Sequence, residues 1–147
     1  MEERKLRLRY LGLDLGEKTI GVALSESGII ASNLLTIRYK TNDLSDALNQ
    51  FCEVYRKYPV DVVVIGLPKH MNNDIGLKAQ YVLKFKEMLE HELNIKVETF
   101  DERMSTQSAL KILSDNRKKY DKQRALKDEV AAQVILQNYL NAKGKTL

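Results

Sequence analysis

The chain has 147 residues, with 24 lysines and arginines against 20 aspartates and glutamates, two histidines and one cysteine. That length suits one compact domain spanning 1–147 and excludes a two-lobed enzyme with separate cofactor and substrate domains. A lone Cys52 excludes a disulfide framework, and with only His70 and His91 most zinc sites fall away too.

No apolar stretch follows the charged start MEERKLRLRY, and none elsewhere approaches the ~20 residues a membrane span needs. A soluble, cytoplasmic protein without membrane or organic cofactor is expected. The net charge of +4 hints only weakly at a polyanionic partner.

Residues 6–15 (LRLRYLGLDL) alternate apolar and polar as far as Tyr10, then turn apolar on both faces, which predicts a strand entering the core. Gly16 breaks it, Ile20 to Leu24 predicts a second strand, and Ile29 to Ile37 a third. Short connections make these three an antiparallel meander. From Leu44 to Tyr58 the apolar period becomes helical, with Asn42 or Asp43 available as a cap. Val60 to Leu67 predicts a short buried strand ended by Pro68. A helix with Val82, Phe85, Leu89 and Leu93 on one stripe follows, then a strand from Ile95 to Phe100. Ser105 or Thr106 would cap a helix through Leu113, and Lys127 to Leu140 would form the last helix. The order implies an α/β fold with a mixed sheet and helices packed on its faces.

Three acidic positions stand out. Asp14 lies in the apolar first strand, where an isolated carboxylate is costly unless paired, hydrogen-bonded or bound to a metal. Asp101-Glu102-Arg103 follows a predicted strand directly, and alternation lets only one of its two acids face Asp14. Asp128-Glu129 opens the last helix, where acids complement the helix dipole. The small pair Ala131-Ala132 would let that helix lie close to the sheet. Carboxylates delivered from a strand, a second strand end and a helix start suit Mg2+ or Mn2+, and two such ions suit phosphodiester hydrolysis. No Ser-His-Asp or Cys-His arrangement competes. Arg117, Lys118, Lys119, Lys122, Arg124 and Lys127 set six positive charges against Asp121 just before Asp128, where they would offset acid repulsion of a phosphate backbone. Arg4, Lys5, Arg7 and Arg9 alternate outward on the first strand and could extend that surface.

Leu11–Leu24 (LGLDLGEKTIGVAL), Val64–Met71 (VIGLPKHM), Asp101–Thr106 (DERMST) and Lys127–Leu140 (KDEVAAQVILQNYL) resemble, in order, the four signature blocks of the YqgF/RuvX family. The resemblance implies an RNase H-like fold with a five-stranded sheet, three antiparallel strands plus two parallel ones, and helices on both faces. It implies a nuclease that matures the 5′ end of pre-16S rRNA, or a Holliday junction resolvase. Asp14, Glu102 and Asp128 match the family's catalytic, metal-binding acids. Gly66, Leu67 and Pro68 would shape a loop over the site. Lys18, Arg103, Thr106, Lys118, Lys119 and Lys122 are the expected contacts to the nucleic acid. Thr19, Glu26, His70 and the Asn72-Asn73 turn depart from the usual pattern.

Asp14-x-Gly16-x-x-Thr19 also looks like the phosphate-binding hairpin of actin-like and sugar kinases, which need two such lobes, whereas this chain has length for one. A non-catalytic nucleic-acid-binding module is the remaining alternative. Against it stand the three acids, which repel nucleic acid unless a metal is bound.

Overall fold

A computed structural model describes residues 8–68, 73–101 and 127–145, the side chains of 73–75, 127–129 and 145 excepted. Strands β1 (Tyr10–Leu15), β2 (Thr19–Ser25) and β3 (Ser32–Arg38) form the expected meander. Helix α1 (Leu44–Lys57), strand β4 (Val62–Leu67), helix α2 (Asn73–Leu93), strand β5 (Lys96–Asp101) and helix α3 (Lys127–Lys145) follow. The sheet has the order β3-β2-β1-β4-β5. β2 is antiparallel to both β1 and β3, whereas β4 runs parallel to both β1 and β5. The predicted helix over 105–113 lies outside the described residues.

Strand alternation divides the core in two. Leu11, Leu13, Ile20, Val22, Ile37, Val63, Ile65 and Val97 point to one face, where Phe51 of α1 and Phe85 and Leu89 of α2 bury against them. Tyr10, Ala23, Val62 and Val64 point to the other, which α3 covers with Ala132, Ile135, Leu136 and Tyr139. Helices therefore occupy both faces, and β1 and β4 have no solvent side. That explains their nearly continuous apolar sequence. Among the described residues no helix is long and apolar enough to cross a membrane.

Capping follows local chemistry: Asp43 accepts a hydrogen bond from the Asp46 amide at 3.1 Å and starts α1. Several boundaries differ from the sequence expectation: β1 begins at Tyr10 and not at residue 6, and β2 and β5 shift by one residue at their ends. β3 begins at Ser32 rather than Ile29, because the Ser27 hydroxyl accepts from the amides of Ile29 and Ile30 and closes a turn with Gly28 at φ 76°. β4 begins at Val62, since the Asp61 amide already bonds the Arg9 carbonyl outside the ladder. α3 continues to Lys145, five residues past Leu140, running through Asn141 and Gly144, the residues that would ordinarily end it.

α3 runs antiparallel to β1. The rings of Tyr139 and Tyr10 meet edge-on at 5.8 Å, while Ala132 and Leu136 lie over Gly12, farther along the strand. The N-terminal end of α3 consequently points toward the end of β1 that carries Asp14. Gln137 fastens the other end, donating to the Ile29 carbonyl and accepting from the Ala31 amide at 2.9 Å.

Candidate active site

Asp14 occupies the C-terminal end of the central strand. The residues before it, Tyr10 to Leu13, are buried, whereas Asp14 and Leu15 are only half-buried. The sequence predicts a carboxylate enclosed on both faces; in the structure full burial ends at Leu13, while the pairing with β2 continues through Asp14 and Leu15. A half-buried acid at a sheet rim can remain ionised and reach a ligand, which a fully enclosed one could not without neutralising.

The register sets a glycine beside Asp14. Its partner on β2 is Gly21, whose own partner on β3 is Thr36. On the other side Gly12 pairs with Val64 and Leu13 with Ile65, so the next step of the ladder sets Asp14 beside Gly66. On β2, therefore, no side chain stands directly opposite Asp14. Gly66 and Leu67 are thus strand residues, in place of the loop implied by the family resemblance, and Pro68 follows the strand end.

The turn after Asp14 is braced from beneath. Gly16 bonds the Thr19 carbonyl at 2.8 Å, the Tyr39 amide bonds the Lys18 carbonyl, and the Asn42 amide bonds the Glu17 carbonyl. The Tyr39 hydroxyl donates to the Gly16 carbonyl, so in its 2.8 Å contact with Tyr81 the latter must be the donor. Burial pushes the Tyr39 hydroxyl far above its ordinary pKa and keeps it a donor. Sequence reasoning missed this brace: two tyrosines 42 residues apart give no local signal. Lys18 sits exposed on the braced turn.

A second polar cluster lies under the opposite end of α3. Tyr139 donates to the Glu98 carboxylate, which also pairs with Lys96 at 3.0 Å. Burial works to raise the Glu98 carboxyl, but these two partners hold it below the usual carboxylate range. Burial, and then Glu98, drive the Tyr139 hydroxyl well upward. This cluster fixes α3 on β5. Burial likewise raises the Cys52 thiol, consistent with packing rather than reactivity, and His91 is exposed at the end of α2.

Of the expected site residues, Asp14 and Lys18 are described in full. Asp128 belongs to the first turn of α3, four residues before Ala132, without a described side chain. Glu102, Arg103, Thr106, Lys118, Lys119, Lys122 and His70 lie outside the described residues. Asp101 ends β5 on the side of Val97, opposite to Phe100, which packs against the α3 layer. Among the described residues, no three His, Cys, Asp or Glu side chains come together as a metal site.

A five-stranded mixed sheet with an acid at the end of its central strand defines the RNase H-like fold of junction resolvases. Thermus thermophilus RuvC in complex with a Holliday junction substrate superposes with a TM-score of 0.64 at 15% identity, covering 94% of this chain and 97% of that one. The yeast mitochondrial Holliday junction resolvase Ydc2 gives 0.51 at 13% identity, over 91% and 79%. At the sequence level the match is specific. A protein of Onion yellows phytoplasma named "Putative pre-16S rRNA nuclease" is 49% identical over 132 residues, 89% of this chain and 87% of its own length. One of the same name from Clostridium acetobutylicum is 40% identical over 136 residues, 92% and 99% of the two chains. The RuvX family, described as Holliday junction resolvase, matches residues 8–142. The chain belongs to the RuvX (YqgF) family and is a nuclease, a hydrolase of phosphodiester bonds.

Proposed function

We propose that residues 1–147 act as one cytoplasmic, divalent-metal-dependent endonuclease domain that processes the 5′ end of pre-16S rRNA. The observation that carries the reading is the half-buried Asp14, paired with Gly21, with the start of α3 directed toward it. Two strand residues advance about 6.6 Å and four helix residues about 6 Å, so the step from Ala132 back to Asp128 matches the step from Gly12 to Asp14. Phe100 lies on the α3 side of β5 and Asp101 on the other, so Asp101 is the acid of that pair turned away from the face of Asp14.

A donor set of Asp14, Glu102 and Asp128 is all carboxylate oxygen, so Mg2+ or Mn2+ fits this chemistry and soft metals do not. When bound, the ions would supply Lewis acidity and a nucleophilic water at neutral pH. The protein's own part is to hold Asp14, Glu102 and Asp128 ionised and in register. Lys18, Arg103 and Thr106 would fix the scissile phosphate, and Lys118, Lys119 and Lys122 would draw the strand in. Precursor rRNA is favoured as substrate by the names of relatives at 49% and 40% identity. Branched DNA is the second reading, favoured by the family's description.

The test is cleavage of 5′-labelled precursor rRNA and of a four-way DNA junction side by side, by wild type and Asp14→Asn, with Mg2+ and with chelator. Metal-dependent cleavage of the RNA, abolished in the variant, is expected. Junction cleavage alone would favour the resolvase reading. Binding without cleavage of either would establish a non-catalytic module.

A further inference from the structure

Ala31 stands one residue before the β2–β3 ladder, which starts on β3 with the pairing of Ser32 to Leu24, and it is only 3% exposed. Its backbone therefore needs partners that the ladder does not supply. Helix α3 supplies them. The Ala31 amide donates to the Gln137 side-chain oxygen at 2.9 Å, and the Ala31 carbonyl accepts from the Gln133 side-chain amide at 3.1 Å. Gln137 also donates to the Ile29 carbonyl at 2.8 Å, so two glutamines one helical turn apart hold the approach to β3 as a neighbouring strand would. On the opposite flank Tyr139 donates to Glu98 of β5 and meets the Phe100 ring edge-on at 6.1 Å. β3 and β5 are the two outer strands of the sheet. Gln137 stands about 100° to one side of Leu136 around the helix and Tyr139 about 60° to the other, while Leu136 between them lies over Gly12 of the central strand.

We propose that Gln133 and Gln137, opposed by Tyr139, are positioning residues for the metal site. Together they set the roll of α3 about its own axis, and so the angle at which its first turn, with Asp128, meets the end of β1. The inference rests on the metal-dependent nuclease reading above and adds the residues that orient one of its acids. The middle of the contact, Ala132 and Leu136 on Gly12, is apolar and non-directional, so by itself it tolerates a small roll. Directional hydrogen bonds on two opposite flanks do not, because a roll in either sense strains one of them. A roll of about 10° moves a group ~6 Å from the helix axis by about 1 Å, and a misplacement of that size can cost ~100-fold in rate. Gln137 lies about 14 Å along the helix from Asp128 and acts only through α3.

The experiment measures Mn2+ affinity by electron paramagnetic resonance, kcat and KM for the nucleic acid that wild type cleaves, and the urea midpoint. Wild type is compared with Gln137→Met, Gln137→Glu, Gln133→Met and Leu89→Ala. Methionine matches the length of glutamine but leaves the Ala31 amide without its acceptor, whereas glutamate keeps that acceptor. Leu89 is buried on the sheet face away from α3, so its truncation lowers stability without reaching the clamp. Gln137→Met is expected to weaken Mn2+ binding about tenfold and to lower kcat about 10–100-fold, with KM within about twofold. Gln137→Glu should recover most of both losses. Leu89→Ala should leave Mn2+ affinity and kcat unchanged at a temperature where it is folded. Gln133→Met, which loses one bond, should move the same way as Gln137→Met by less, and it carries the test if Gln137→Met does not fold. Wild-type Mn2+ affinity and kcat in the folded glutamine variants, or an equal loss in Leu89→Ala, would overturn the positioning role and leave the nuclease reading intact. Wild type that takes up no Mn2+ would overturn the metal-dependent reading and this inference with it.

Discussion

Gly12 in the central strand and Leu136 in α3 lie so close that an ideal Cβ on Gly12 would stand 2.6 Å from the Leu136 Cβ and 3.2 Å from the Ala132 carbonyl oxygen. The helix that carries Asp128 thus rests on the strand that carries Asp14 through a missing side chain. Gly12→Ala cannot be relieved by a rotamer change, because both contacts are at or next to backbone. Overpacking of this kind costs about 1–3 kcal/mol, read as a fall in urea midpoint. Cleavage should fall further than stability accounts for, since α3 must lift away from β1. Unchanged urea midpoint and unchanged activity would contradict the close approach.

Asp128→Asn should separate binding from hydrolysis. The amide is nearly isosteric and still suits a helix start, so the melting temperature should hold or rise slightly as carboxylate repulsion is relieved. One charged oxygen donor is lost, and Mg2+ sites of this type depend on ligand charge. Cleavage should collapse in Mg2+ and Mn2+ alike while nucleic-acid affinity survives, measured on the same preparation. Full activity would remove Asp128 from the donor set.

Neutralising Lys118, Lys119 and Lys122 together should flatten the salt dependence of binding. Every phosphate that is no longer neutralised by a lysine reduces the slope of log Kd against log salt by ~0.7–0.9. Thermal stability should not move. An unaltered slope would mark the segment as a solvated loop.

Alkaline pH should unfold this protein early. Burial first, then polar partners, raise the hydroxyls of Tyr10, Tyr39 and Tyr139 above their ordinary value. Below pH ~10 both folded and unfolded chains keep these protons and the stability is fully present. Above it the unfolded chain releases them and the folded chain does not, so stability falls by up to ~1.4 kcal/mol per pH unit for each hydroxyl. Tyr39→Phe should make that slope shallower. It should also cost about 1–3 kcal/mol at neutral pH, by leaving the Gly16 carbonyl and the Tyr81 hydroxyl without their partner. A pH–stability curve by urea titration between pH 8 and 12 checks both statements.

The period-2 and period-3.6 patterns alone determined the meander, the two later strands and three of the helices, because each buried face must repeat at its element's own spacing. They also made Asp14 conspicuous, since a carboxylate among LGL and L has few bland explanations. The boundary at Ser32 escaped them: Ile29 and Ile30 are apolar yet 68% and 62% exposed, and a side-chain–backbone turn at Ser27 outweighed their strand propensity. Tertiary structure alone decided what surrounds Asp14. Gly21 stands opposite it only because β2 pairs with β1 in one register, and a shift of a single residue would replace it with a bulky side chain. Tyr39 reaches Gly16, and Arg38 joins the face of Asp14, through a third strand whose placement depends on pairings far apart in the chain. Local sequence specifies which face a residue takes within its own strand; only the assembled sheet specifies which residues of other strands share it.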